Sequence, residues 1–511
     1  MASFNEIGKR NVLPNWRNYS KTVSVGEFQS PIRQNSIVPL FPLDEYIFAW
    51  KENKSVPFAS DLVSAAITNG QMTESEVIDA AKFIISHPDD CSNTQILCAQ
   101  SILPNTKIDS NKNNQEVIVK LSCLKNKEAQ YREGIRILKH QNILFPNNPI
   151  NYCELARYYA NLGQLEKAKT MMLIAVQLAP DSRYISRSAA RLFSHIEEYD
   201  IAHKILVKNP WLQRDPWIIA SEIAINTAVG KNSKYIKKGQ ELIASRKYTP
   251  FSCSELASAL ATLEMNNGNR KRCRHYMNIA LQKPNDNSLA QAEWIIHEDN
   301  NINVGLSFGD YSYLQNKAEA DSWCAYLKEE YLTALSIGVD WIADFPFDPN
   351  PIYFTAGIAY THLKQYDTAI DIINLGLRAN PEDAGLLNNL AYCCALSGQV
   401  LDAENILDRV SLKTINIPNE TKVCLTATRG LVEYRKGNIE VGQFLYYKAI
   451  NDAQYYGCEQ GLLAKALLNY IREEVMFNSN CDKNFLLSLM DDIAISDKEV
   501  NQLKKDILAI V

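Results

Sequence analysis

The chain has 511 residues, 46% of them apolar, and its 53 basic and 58 acidic side chains give a formal charge of −5. That balance excludes a strongly basic nucleic-acid coat and an acidic disordered tail. With 20 glycines and 19 prolines the chain is poor in turn-formers, which argues against a β-sandwich or an enzyme built on glycine loops and leans the sequence toward helix.

The first residues, Met1 to Ser20, lack the apolar stretch of a secretory signal. No run anywhere approaches the ~18 apolar residues of a membrane span, so no membrane partner is expected. Prolines 14, 31, 39 and 42, with Pro57 just beyond, break any long helix in residues 1–55. Trp16, Tyr19, Phe28, Phe41, Tyr46, Phe48 and Trp50 are too many aromatics for a solvated tail. An extended arm fits both facts. It lies along the chain's own body as a strap or docks on a partner, with disorder as the remaining alternative.

Residues 56–114 read as a helical N-terminal extension. Val77, Ala80, Ala81, Ile84 and Ile85 share one helical face, and Ile96, Leu97, Ser101 and Ile102 suggest a second helix. Residues 104–113 are polar and read as an exposed loop.

From residue 115 a period takes over. One unit runs through Tyr152, Leu155-Ala156, Tyr159, Gly163, Ala168, Ala175 and Pro180. Small residues let two helices approach closely, and the aromatic fills the space beside them. Glycine ends the first helix where positive φ is needed, and proline closes the unit because it cannot continue a helix. The small residue in the middle of each unit recurs at Gly134, Ala168, Ala202, Gly239 and Cys273. After a gap it recurs at Ala334, Ala369, Ala403 and Gly442. Steps of 34 residues occur four times and one step is 35. A second well-formed unit has Tyr353, Ala356-Gly357, Tyr360, Ala369, Ile373, Gly376 and Pro381. About nine units cover roughly residues 115 to 452.

The period breaks at 284–316. Ser288 to Ile296 reads as a first helix, but the second is replaced by His297 to Gly309. Residues 317–452 resume the repeat. Residues 453–511 read as capping helices, Gly461 to Glu474, Phe485 to Met490 and Lys498 to Val511, the last with a polar outer face.

Catalytic motifs are nearly absent. There is no phosphate-binding glycine loop and no paired-histidine zinc motif. Gly305-Leu306-Ser307-Phe308-Gly309 fits the G-x-S-x-G elbow, but that motif works on a strand-to-helix turn with a later acid and histidine. Its flanks here are helical, and the only later histidine is His362 inside a repeat. The twelve cysteines form no Cys-x-x-Cys, so reduced core thiols of a cytoplasmic protein are expected, with no metal and no cofactor.

The units resemble the tetratricopeptide repeat. The resemblance implies an all-α, right-handed α-solenoid superhelix of stacked helix pairs. Its single core grows unit by unit without closing on itself, so the length does not imply several domains. It also implies a concave groove lined by the first helix of each pair. Carrying the family's contact positions over places Arg157 and Asn161 in the groove, then Tyr184, Arg187, Arg191 and His195. In the second half it places Phe354, Ile358, Thr361 and His362, then Asn388, Tyr392 and Leu396. The arginines suit a partner segment with acidic side chains or a free C-terminus; the second half suits an apolar or aromatic peptide. The family's chaperone-tail clamp of Lys, Asn and Arg is not intact. The leading expectation is a non-enzymatic scaffold or adaptor that binds another protein or peptide. A regulatory or sensor subunit controlling an effector such as a nuclease, as in bacterial defence, is a second reading from architecture. Helical-repeat RNA binding is a third, disfavoured by the charge. Homo-oligomerisation stays open.

Overall fold

The computed structural model describes residues 10–19, 43–69, 74–87, 90–103, 110–298, 302, 311, 314, 316–413, 417–495 and 497–510. The N-terminal helices are α1 (Leu43–Glu52), α2 (Val56–Asn69), α3 (Ser75–Ser86) and α4 (Asn93–Ile102). They share a small core of their own around Trp50, Leu62, Val63, Ala80 and Ile84. Of the expected 1–55 arm, residues 1–9 and 20–42 lie outside the described residues, and 43–52 are helical where an extended chain was expected, with Leu43 and Trp50 buried and acidic residues in the first turn. Of the 104–113 stretch read as a loop, 110–113 are helical and 104–109 lie outside the described residues.

The repeat region begins with α5 (Ser110–Lys125) and α6 (Lys127–Leu144). Four helix pairs follow: α7 (Pro149–Asn161) with α8 (Leu165–Leu178), α9 (Arg183–His195) with α10 (Tyr199–Lys208), α11 (Pro216–Ala228) with α12 (Ile236–Ala244), and α13 (Pro250–Asn266) with α14 (Arg270–Ala280). Next, α15 (Asp286–Glu298) has no second helix among the described residues. Pairing resumes with α16 (Ala318–Leu327) and α17 (Tyr331–Asp344), then α18 (Pro349–Gly357), prolonged by a π-turn at Ile358–His362, and α19 (Tyr366–Ala379). The stack ends with α20 (Ala384–Leu396), α21 (Val400–Lys413), α22 (Asn419–Arg435), α23 (Ile439–Tyr455), α24 (Gln460–Phe477), α25 (Lys483–Asp491) and α26 (Lys498–Leu508). All nine small residues of the register, Gly134 to Gly442, fall in the second helix of a pair.

Local signals start the first helices. Asn148, Asp215, Thr249 and Asp348 accept a backbone N–H of the opening turn, and proline follows each of them inside that turn. The first helices α9, α11, α13, α15, α20 and α24 are buried nearly all round, because they face second helices outside and the superhelix interior inside.

The solenoid touches itself, contrary to the expectation that it does not close. Lys120 on α5 reaches Asp340 at 2.7 Å and the Ser336 hydroxyl at 3.1 Å on α17. Arg378 on α19 donates to the Leu124 carbonyl at 3.1 Å and the Lys125 carbonyl at 3.0 Å. A superhelical turn therefore brings α5 to α7 against α17 to α19. Gly163 sits at this seam with φ of +67°, and a Cβ there would lie 2.9 Å from the Arg378 carbonyl oxygen. Gly398 has φ of +87° and open space around its Cβ position. Alanine at either costs about 1–2 kcal/mol for the left-handed backbone. Gly163→Ala adds a backbone collision and is expected to lower the melting temperature clearly more than Gly398→Ala; equal losses would count against the seam.

Candidate functional site

Residues 10–19 of this chain lie in the interior of the superhelix. Residues 10–19 run extended along α7, α9, α15, α16 and α17. The groove side chains read the strap's main chain. Gln291 Nε2 donates to the Arg10 carbonyl at 3.0 Å, Asn287 Nδ2 to the Leu13 carbonyl at 2.9 Å and the Tyr184 hydroxyl to the Arg17 carbonyl at 3.1 Å. The Tyr19 N–H donates to Glu154 Oε1 at 2.8 Å.

The strap's side chains are held as firmly. Arg10 makes a two-pronged pair with Glu319 at 2.7 and 2.8 Å and also reaches Gln291 and Asn287. Arg17 donates to Asp286 at 2.5 Å and Asp344 at 2.6 Å, with its guanidinium 4.8 Å from the Phe345 ring centre. Burial alone would depress the Arg17 pKa, but Asp286 and Asp344 outweigh it and raise it. Asn15 donates to Asp286 at 2.7 Å. Val12 and Trp16 are each 1% exposed, and Trp16 packs 5.4 Å from Phe347. Burial also pushes the neighbouring Cys153 thiol up to about 12, so it is a neutral packing group.

The predicted groove residues fall into two sets. Arg157, Asn161, Tyr184, Arg187, Arg191 and His195 lie on α7 and α9. The structure answers each arginine with a carboxylate of this chain. Arg157 pairs with Glu154 at 2.7 Å, Arg187 with both oxygens of Glu255 at 3.1 and 2.9 Å, and Arg191 with Asp348. Arg187 also lies 4.7 Å over Trp217. Tyr184 bridges the strap and Glu154, and its burial together with nearby Cys153 and Glu154 holds the phenol well above its usual range. Asn161 is buried near the end of α7. His195 packs edge-on to Phe347 at 5.3 Å, and burial depresses its pKa to about 4, so it is neutral at pH 7.

The second set is packed, not open. Phe354 is fully buried among Trp323, Tyr326 and Trp341. His362 stacks on Tyr331 at 4.0 Å, and burial lowers its pKa to about 4. Asn388 accepts from Thr428 at 2.9 Å, and the Tyr392 hydroxyl donates to Asn469 at 3.0 Å and accepts from Arg472 at 3.2 Å. These side chains are thus taken up by the chain's own residues on α16, α17, α22 and α24, which does not fit the open apolar groove expected there.

Sequence reasoning missed Asp286, Asn287, Gln291, Glu319 and Asp344. A usable signal existed: Asp286-Asn287 open a first helix whose partner is missing, and acids cluster after the break. The elbow serine, Ser307, lies outside the described residues. Among the described residues no group of His, Cys, Asp or Glu could hold a metal, and no helix is long and apolar enough to cross a membrane.

Beside the strap a cavity of about 330 Å³ remains, lined by Arg10, Asn15, Arg191, Glu319, Asp348 and Asn350 among others. On α15, burial and then the charge of Asp321 push the Glu293 carboxyl up to about 8. The folded chain therefore keeps a proton that the unfolded chain loses above about 4.5. Stability is fully present below that pH and falls as pH rises toward about 8. Glu293→Gln is expected to flatten this decline and to melt higher than the parent at pH 8; an unchanged pH profile would refute it.

A tetratricopeptide-repeat family profile matches residues 151–182 and 351–383, the two units around α7–α8 and α18–α19. The chain carries tetratricopeptide repeats. The described residues fold as a helical-repeat solenoid, and the solved structures of yeast Tom70 and human IFIT1 are among those found similar. Tom70 is 14% identical, with a TM-score of 0.29, covering 78% of this chain and 96% of that one. IFIT1 in a dimer with PPP-AAAA is 12% identical, with a TM-score of 0.30, covering 92% and 93%. Comparison with curated proteins gives no match.

Proposed function

We propose that this repeat protein is a non-enzymatic scaffold that holds an extended segment of a partner protein in its interior groove. The observation that carries the reading is the strap itself. The groove already grips an extended polypeptide by its carbonyls through Gln291, Asn287 and Tyr184, contacts that do not depend on the peptide's side chains. Polynucleotide binding in the same place is disfavoured, because Arg157, Arg187 and Arg191 are each paired there with Glu154, Glu255 and Asp348, and Asp286, Glu319 and Asp344 add three further carboxylates.

Peptides selected from a displayed random library against the purified chain test this reading. The expected result is that they slow amide exchange in α9 and α15. Enrichment of no peptide, or protection confined to the outer second helices, would overturn it.

A further inference from the structure

We infer that the groove is a receptor for an extended cationic segment, two arginines seven residues apart with a bulky aromatic just before the second, and that residues 10–19 occupy it in cis. This deepens the scaffold reading and rests on it.

The charges decide the chemistry. Of the groove carboxylates, Glu154, Glu255 and Asp348 are neutralised by the groove's own arginines. Asp286, Asp344 and Glu319 take their ion pairs from Arg17 and Arg10 of the strap. An acidic partner, the chemistry suggested by Arg157, Arg187 and Arg191, would meet arginines already paired and, at Asp286 and Glu319, carboxylates that have lost the strap's arginines. A cationic partner replaces the strap charge for charge. Guanidinium suits the site better than ammonium, since Glu319 is met in a two-pronged fork and Arg17 must bridge two acids while lying on the Phe345 ring.

The strap is held by these ion pairs together with the burial of Val12 and Trp16, so a competing segment must supply both the two cations and the aromatic anchor. A solvent-open pocket of about 330 Å³ adjoins Arg10 and Asn15 at the strap's edge.

The test uses the full-length chain carrying Arg10→Ala and Arg17→Ala, and a capped, fluorescein-labelled peptide of residues 10–19. Occupied in cis, the parent should bind the free peptide weakly, and emptying the groove should tighten binding about tenfold or more. A peptide with both arginines changed to glutamate should not bind, and added salt should weaken the arginine peptide. If the alanine variant fails to fold, the Arg10→Lys/Arg17→Lys chain keeps the charges with poorer geometry and should still bind the free peptide more tightly than the parent. A folded variant that ignores the peptide, or binds the glutamate version equally, overturns the inference. If library-selected peptides protect α9 and α15 while the arginine peptide does not, the cationic preference falls and the scaffold reading stands. If neither protects, both fall.

Discussion

Arg17→Ala is expected to destabilise the interior by about 3–5 kcal/mol, because it removes the buried cation shared by Asp286 and Asp344. Arg17 is 3% exposed, and its partners Asp286 and Asp344 are 10% and 9% exposed at the side chain. Asp286 opens α15, and Asp344 ends α17. The loss should therefore appear as faster amide exchange at the start of α15 and the end of α17, ahead of global unfolding. Long repeat arrays often lose two-state behaviour, so local exchange is a better readout than a single midpoint. Adding Asp286→Asn to Arg17→Ala removes one orphaned charge and should recover part of the stability. If exchange in α15 is unchanged in Arg17→Ala, the strap is not held there as described.

The repeat register was legible because it records a short-range demand. Each second helix must come close to its own first helix, so a small residue recurs every 34 positions whatever the rest of the molecule does. Gly134 on α6 answers the same demand toward the next unit, since the Tyr158 ring on α7 would sit 2.9 Å from an added Cβ. The closed seam was not legible, since it depends on the pitch accumulated over a whole superhelical turn. The groove arginines show the same limit. Glu154 lies one helical turn from Arg157 and was readable as its partner, but Glu255 is 68 residues from Arg187 and Asp348 is 157 from Arg191. Arg17 and its acids lie 269 and 327 residues apart, with no period to link them. The aromatic excess of the arm did announce that it must be covered, and Trp16 against Phe347 shows what covers it. Its arginines carried the more specific message, a cation for the groove, and that could be read only once the acids were in place.

The C-terminal cap offers the second large effect. Lys465 on α24 is 1% exposed and pairs with Glu499 on α26, itself 3% exposed, with Asp497 3.9 Å away. Burial would depress the lysine pKa, but Glu499 and Asp497 reverse that and raise it. Lys465→Met keeps the bulk and removes the charge, leaving Glu499 buried beside an apolar chain at an expected cost of about 3–5 kcal/mol. The double change Lys465→Met/Glu499→Leu removes both charges and should restore most of that loss, since an apolar pair of similar volume often equals a buried ion pair. The rest of the cap should follow. Helix α26 also carries Lys498 onto the Leu327 carbonyl at 2.9 Å and Asp506 onto Lys364, so undocking it frees the ends of α16 and α18. Proteolysis near residue 497 should therefore accelerate in the single variant and return toward the parental rate in the double one. A double variant as fragile as the single would mean that Lys465 and Glu499 do more than neutralise each other at this end of the solenoid.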